Sequence, residues 1–193
     1  MALLIFGLIV FLGVHSVRIF GESGRERSIA RMGEGPWKGV VTLLSLIGLV
    51  MIVWGFGEAR STAPILWSPP VWTRHVAVLL MVFSLILLAA YGLKTSHIAV
   101  AVHHPMLWAV VLWSLAHLFA NGSAADVVLF GAFLVWSLLD LMSNYARDRA
   151  NAVVYPAPNW GATIGAIVIG IVLWLVLLGG LHQWLFGLAP LAM

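Results

Sequence analysis

Six stretches of predominantly apolar residues, each about 19 residues or longer, decide what this chain can fold into. They run approximately Ala2–Phe20, Gly39–Gly57, Val71–Leu93, Ile98–Ala120, Ala124–Met142 and Trp160–Leu188. At a rise of about 1.5 Å per residue, a helix of that length spans the bilayer's hydrocarbon core. Composition agrees. Of the 193 residues, 62% are hydrophobic and only 9% charged, where a soluble domain carries roughly a quarter charged residues. Such a chain cannot clothe a soluble globule in polar side chains, so lipid is the solvent for much of its surface. The expected fold is all-α, a polytopic transmembrane helical bundle of about six membrane-spanning helices. The length leaves room for one integral membrane domain over residues 1–193 and no separate soluble one. The fourth stretch is interrupted by His103, His104 and Pro105. Its helix is expected to begin near Pro105, where proline suits a first turn. That leaves a short span of about 16 residues.

Charge asymmetry orients the helices. Arg18, Arg25, Arg27, Arg31 and Lys38 follow the first stretch, Lys94 the third, and Arg147 and Arg149 the fifth. Only Arg60 and Arg74 lie between the second and third, and the next loop has none. Positive-inside logic places loops one, three and five in the cytoplasm and both termini on the periplasmic side of a bacterial inner membrane. The first stretch lacks a basic leading region and a small-residue cleavage site, so it reads as a helix of the mature protein. The formal net charge is only +3. That small excess suits the anionic cytoplasmic lipid surface better than a nucleic acid, and the bilayer is the expected partner. With no cysteine in the chain, disulfides, iron–sulfur clusters, cysteine zinc sites and a thiolate haem ligand are excluded.

Polar residues inside such stretches are informative, because an ionisable group in hydrocarbon needs a partner or a purpose. His15 lies one turn before Arg18 and reads equally as a metal or haem ligand or as an interfacial histidine. His117 sits well inside the fourth stretch, with Ser114 and Asn121 on the same helical face. There the functional reading is favoured, although Asn121-Gly122 is also a good helix stop. Adjacent His103 and His104 point about 100° apart on a helix and form no chelating pair. His104 stays open as a ligand. Asp140 suits a structural ion pair with Arg18, or support of a histidine. His182 reads as an outer-surface residue and His97 as a loop residue. Gly165 and Gly170 suit close helix packing.

At these residues the chain resembles the NnrU family. The resemblance rests on His15-Ser16-Val17-Arg18-Ile19, Trp37-Lys38-Gly39, Leu43 to Val50, Val53-Trp54-Gly55 and Leu66-Trp67-Ser68-Pro69-Pro70. It continues through His104-Pro105-Met106 and Leu112 to Gly122. It covers a core of about residues 1–150, beyond which lies a further C-terminal transmembrane helix at about 160–188. The family is associated with denitrification and nitric oxide metabolism, and is similar to the haem-dependent 15-cis-zeta-carotene isomerase. That similarity implies a haem b, with His15 and His117 as ligands to the haem iron and His104 as an alternative. Ser114 and Asn121 would stand behind the ligands. Ser114 stands where the isomerase has a cysteine, so ligand switching to a thiolate is not expected here.

Depth along the helix favours His15 with His104, since 13 residues separate His104 from His117, about 20 Å; the resemblance favours His15 with His117, and the reading follows it. The first expectation is therefore a haem-dependent redox or isomerase protein in nitrogen-oxide metabolism. The second is a non-catalytic membrane protein supporting assembly or regulation of nitrogen-oxide respiration, with a membrane protein partner or as a homo-oligomer. Whether the chain is an enzyme stays open between them. A methyltransferase with an Arg-His-Pro motif is disfavoured, because no Glu follows Glu58.

Overall fold

The computed structural model describes residues 1–191, and these are helical with no strand among them. The elements are α1 (Ala2–Phe20), α2 (Glu22–Met32), α3 (Glu34–Thr62), α4 (Val71–Gly92), α5 (His97–Val102), α6 (Pro105–Ala120), α7 (Ala124–Ala150) and α8 (Trp160–Val176). A π-helical segment, Leu177–Leu181, then leads into α9 (His182–Phe186). The all-helical fold agrees with the sequence. Helices α1, α3, α4 and α7, together with the run Trp160–Phe186, are long and apolar enough to cross a membrane. The chain is thus a multi-pass membrane protein, with five such helices among the described residues. The sixth, α6, has 16 residues, about 24 Å against a core of about 30 Å.

The shortening has a local cause. Ser96 caps a separate helix α5, its Oγ accepting from the Ala99 amide at 3.1 Å. His103 then takes a left-handed φ of 61°, a conformation few non-glycine residues adopt and one that ends a right-handed helix. Pro105 restarts the chain as the first residue of α6. Elsewhere helices run past their apolar stretches. Helix α2 occupies the first loop, and α3 begins at Glu34, where Lys38 pairs with Glu34 at 2.8 Å one turn on.

By internal packing the chain falls into two compact units. The first comprises Met1–Trp67 and Gly122–Asp140, and its centre is the seam between α1 and α3. Lipid tails offer helices no hydrophobic reason to associate, so close backbone packing must hold them. Three glycines permit it. A Cβ on Gly7 would lie 2.7 Å from the Ile52 nitrogen, and one on Gly48 would lie 2.8 Å from the Phe11 nitrogen. A Cβ on Gly55 would collide with the Leu4 nitrogen. The early part of α7 adds aromatic contacts, Phe133 with Phe11 and Phe130 with Phe56, at centroid separations of 5.9 and 6.2 Å. Helix α7 starts at a reciprocal cap: Ser123 Oγ donates to Asp126 Oδ2 at 2.6 Å, and the Asp126 amide donates back to Ser123 Oγ at 3.2 Å.

The second unit comprises Ser68–Asn121 and the chain from Leu141 onward. Helix α4 packs against both α6 and α8. Ser84 Oγ donates to the Ala109 carbonyl at 2.8 Å, and Trp174 Nε1 donates to the Val78 carbonyl at 3.0 Å. Gly170 lets α8 meet α4, as a Cβ there would lie 2.5 Å from the Ile86 Cα. His97, expected in a loop, opens α5, and its amide donates to Thr163 Oγ1 at 2.9 Å.

The glycine seam makes a testable statement. Gly48→Val overpacks a backbone contact and is expected to cost about 1–3 kcal/mol. Thermal unfolding of the detergent-solubilised protein should show a Tm lower by several degrees. Gly57→Leu, with nothing within 4 Å of its added Cβ, should leave Tm unchanged. Equal Tm values for the two variants would contradict the seam.

Candidate functional site

Helix α6 ends on the residues that the sequence marks out. His117 lies in its last turn rather than mid-helix, because the helix stops at Ala120. Asn121 closes it: its amide donates to the His117 carbonyl at 3.0 Å, and its Nδ2 donates to the same oxygen at 2.8 Å. Asn121 is therefore a cap as well as a neighbour of His117. The His117 Nδ1–H donates to the Trp113 carbonyl at 2.8 Å. A carbonyl only accepts, so the proton sits on Nδ1 and the ring's lone pair on Nε2. Ser114, one turn before His117, is fully buried, and its Oγ has no hydrogen-bond partner. A buried orphan of this kind marks strain, water or a bound group.

His117 and Asn121 line a cavity of about 400 Å³ within the second unit, a volume in the range of small-molecule sites. Met81, Leu85, Trp174, Leu177 and Leu178 supply apolar walls, and Arg74, His182 and Gln183 supply the other polar groups. His182 was expected on the outer surface. The π-helical segment before it contains Gly180 at φ 129°, and Gly187 after α9 takes φ 74°. These two breaks turn the end of the chain back on itself. The His182 Nδ1–H thereby donates to the Leu188 carbonyl at 2.7 Å, and its ring stands 6.5 Å from that of His117, centroid to centroid. Sequence spacing gave no hint of this pairing, since it depends on a kink that two glycines create.

His15 belongs to the first unit. Its Nδ1–H donates to the Phe11 carbonyl at 2.7 Å, so its lone pair too is on Nε2. Trp136 stands edge-on to its ring at 6.1 Å, and the Trp136 Nε1 is buried with no hydrogen-bond partner. The structure describes His15 in a different unit from His104 and His117, and brings together His117, Asn121 and His182.

His104 sits elsewhere in the second unit and is engaged differently. As the residue before Pro105 it precedes α6, and its Nε2–H donates to Asp148 Oδ2 at 2.8 Å. The Tyr155 hydroxyl donates to the same oxygen. Tyr145 accepts from Trp108 Nε1 at 2.9 Å and donates to the Val102 carbonyl at 2.8 Å. The His103 ring stacks on Tyr155 at 3.8 Å. This polar knot ties the end of α7 and the chain after it to the α5–α6 junction. Its carboxylate is Asp148, 44 residues past His104.

No group of three or more His, Asp or Glu side chains suited to a bare metal ion occurs among the described residues. The donors instead are single imidazoles with Nδ1 fixed by a carbonyl, the arrangement that orients a histidine toward a metal.

A family model described as NnrU protein matches residues 3–190, through α8 and α9 and beyond the motifs on which the resemblance rests. No curated protein and no solved structure matches the chain.

The knot around Asp148 gives a titration. Burial, then the hydrogen bond to Asp148 and its charge, push the Tyr155 phenol up to about 12 from its ordinary 10.0. The folded protein holds a proton that the unfolded chain releases. The stabilisation is therefore complete below pH 10 and lost as pH rises toward 12. Tyrosinate absorbance of the wild type should show a late step that Tyr155→Phe removes. An unchanged titration curve in the variant would contradict the assignment.

Proposed function

The chain belongs to the NnrU family, and from that premise we propose that it is a haem b protein of the bacterial inner membrane with His117 as an axial ligand. The observation that carries the reading is His117 at the wall of a cavity of about 400 Å³, its ring held through Nδ1 by the Trp113 carbonyl. The donor set fits the group. Haem iron arrives with four ring nitrogens and asks the protein for one or two more, and imidazole is a usual choice. The apolar walls suit the macrocycle, and Arg74 offers a cation to its carboxylates. Asn121 holds the His117 carbonyl, and the orphaned Ser114 hydroxyl lies one turn away, so both would act from behind the ligand. The resemblance also implies His15 as a residue that would hold the iron, with His104 as an alternative.

Bound haem supplies a one-electron couple. His117 would hold it, the apolar walls would surround it, and Arg74 would face its carboxylates. The setting is the one the family resemblance implies, nitrogen-oxide metabolism, with chemistry of the redox or isomerase class. The cytoplasmic placing of loops one, three and five, and the periplasmic placing of both termini, follow from eight of the ten cations.

The test is an absorption spectrum of protein purified from haem-replete cells. A Soret band with a haem b pyridine haemochrome is expected, and His117→Ala should lower haem retention by about tenfold or more. A colourless, iron-free preparation would overturn the reading. If it also co-purified with another membrane protein, the non-catalytic assembly role would take its place.

A further inference from the structure

Half of the chain's 10 cations lie between Arg18 and Lys38, at one end of the first unit. They are Arg18, Arg25, Arg27, Arg31 and Lys38, against three carboxylates, Glu22, Glu26 and Glu34. As a count these charges orient the helices; placed in three dimensions they form a surface. We propose that α2 is a docking surface for anionic phospholipid headgroups, with Arg27 and Arg31 as the pair that holds them.

The position of α2 leaves it no other solvent. Across the α1–α3 seam Gly55 meets Leu4 and Gly48 meets Phe11, so the two helices run antiparallel in one register. Continued, that register brings Phe20, the last residue of α1, level with Gly39. The first turn of α3, from Glu34 to Lys38, therefore projects past the end of α1. Helix α2 bridges this overhang, joined to α1 by Gly21 alone and to α3 by Gly33 alone. Gly33 takes φ 88°, a turn that glycine makes readily. Both neighbours of α2 are long and apolar enough to span. At 11 residues, about 16 Å, α2 is thus tied at each end to one bilayer surface. None of its residues is buried. Phe20 and Met32, at its two ends, are 75% and 47% exposed, which suits the apolar anchors of an interfacial helix.

The charges sort by partner. Arg25 is half-buried and paired with Glu22 at 2.9 Å, and Lys38 is paired with Glu34 at 2.8 Å. Arg27 and Arg31 are exposed, lie four residues apart on one helical face, and have no carboxylate partner among the described residues. Arg27 Nε donates to the Ser23 carbonyl at 3.1 Å, and its two Nη groups are left unbonded. Glu26 adjoins Arg27 in sequence and so points about 100° away from it. Two guanidinium groups one turn apart match the oxygens of a phosphodiester, which arginine binds through paired N–H groups. An acidic protein would meet this surface only in competition with the headgroups around it.

The full chain, reconstituted in phosphatidylcholine bilayers, tests this through the association of spin-labelled phosphatidylglycerol relative to spin-labelled phosphatidylcholine. The wild type should prefer the anionic lipid by about fivefold, which is what one basic residue contributes at an anionic lipid surface. Salt at about 1 M should lower that preference. Arg27→Gln with Arg31→Gln should abolish it, and Arg27→Lys with Arg31→Lys should keep part of it. Glu26→Gln, which removes the carboxylate beside the pair, should raise it, and a rise cannot come from a variant that fails to fold. A wild type without preference, or a double glutamine variant with the wild-type preference, would overturn the proposal. So would loss of the preference in Arg149→Gln, with Arg27 and Arg31 intact, since the site would then lie at the end of α7.

Discussion

A polar group in hydrocarbon has to be solvated by the chain itself or by the bilayer edge, and that constraint shapes the rest. In hydrocarbon an unsatisfied donor costs several kcal/mol. The spanning helices meet the cost by returning side-chain donors to the carbonyl one turn back. His15 does so to Phe11, Ser16 to Leu12, Ser45 to Val41 and His117 to Trp113. The device is mundane, but its effect on histidine is chemical. The bond consumes Nδ1–H and leaves the basic nitrogen on the far side of the ring. A histidine placed in a spanning helix for solvation reasons is thereby oriented as a ligand. The exceptions then stand out. The Ser114 hydroxyl and the Trp136 indole are buried without partners, one a turn from His117 and the other beside the His15 ring.

Packing follows from the same solvent. With lipid on the outside, helices gain by close backbone contact rather than by burying apolar area. The α1–α3 seam uses glycine from both helices, and Gly170 brings α8 to α4. Large apolar side chains such as Leu43, Val53 and Val172 are exposed. In water that surface would be a liability; in lipid it is the solvated face. The polar knot around Asp148 sits where the chain leaves its apolar runs, and there one carboxylate oxygen is shared between His104 and Tyr155.

Much of this was legible in the sequence because the signals are local. Apolar length located the spans, Pro105 the start of α6, and Asn121-Gly122 its stop. The helical overruns were less visible. Glu34 and Lys38 look like loop charges until they pair one turn apart, and Ser123 with Asp126 is a capping pair that the apolar pattern passes over. The α1–α3 seam was missed because its glycines, Gly7, Gly48 and Gly55, form no short motif on either helix. Of the site, His117 and Asn121 were legible as a same-face pair. His182 was not, since no periodicity carries across a π turn and a left-handed glycine. Asp148 was not, since its bond to His104 closes over 44 residues.

The shortness of α6 ties these threads together. A helix of 16 residues does not reach across a core of about 30 Å, so its end brings backbone carbonyls and a polar cap to a depth where full-length helices show only side chains. Those carbonyls need partners, and Asn121 supplies them for His117. The chain after α8 is irregular beside the same cavity. An open helix end and a kinked segment are each costly against lipid, yet irregular backbone is tolerated where it lines a cavity, and both line this one. Shortening α6 at His103 and breaking the last helix at Gly180 therefore have one physical outcome. They open a polar-lined hollow in an otherwise apolar unit and bring His117 and His182 together on its wall.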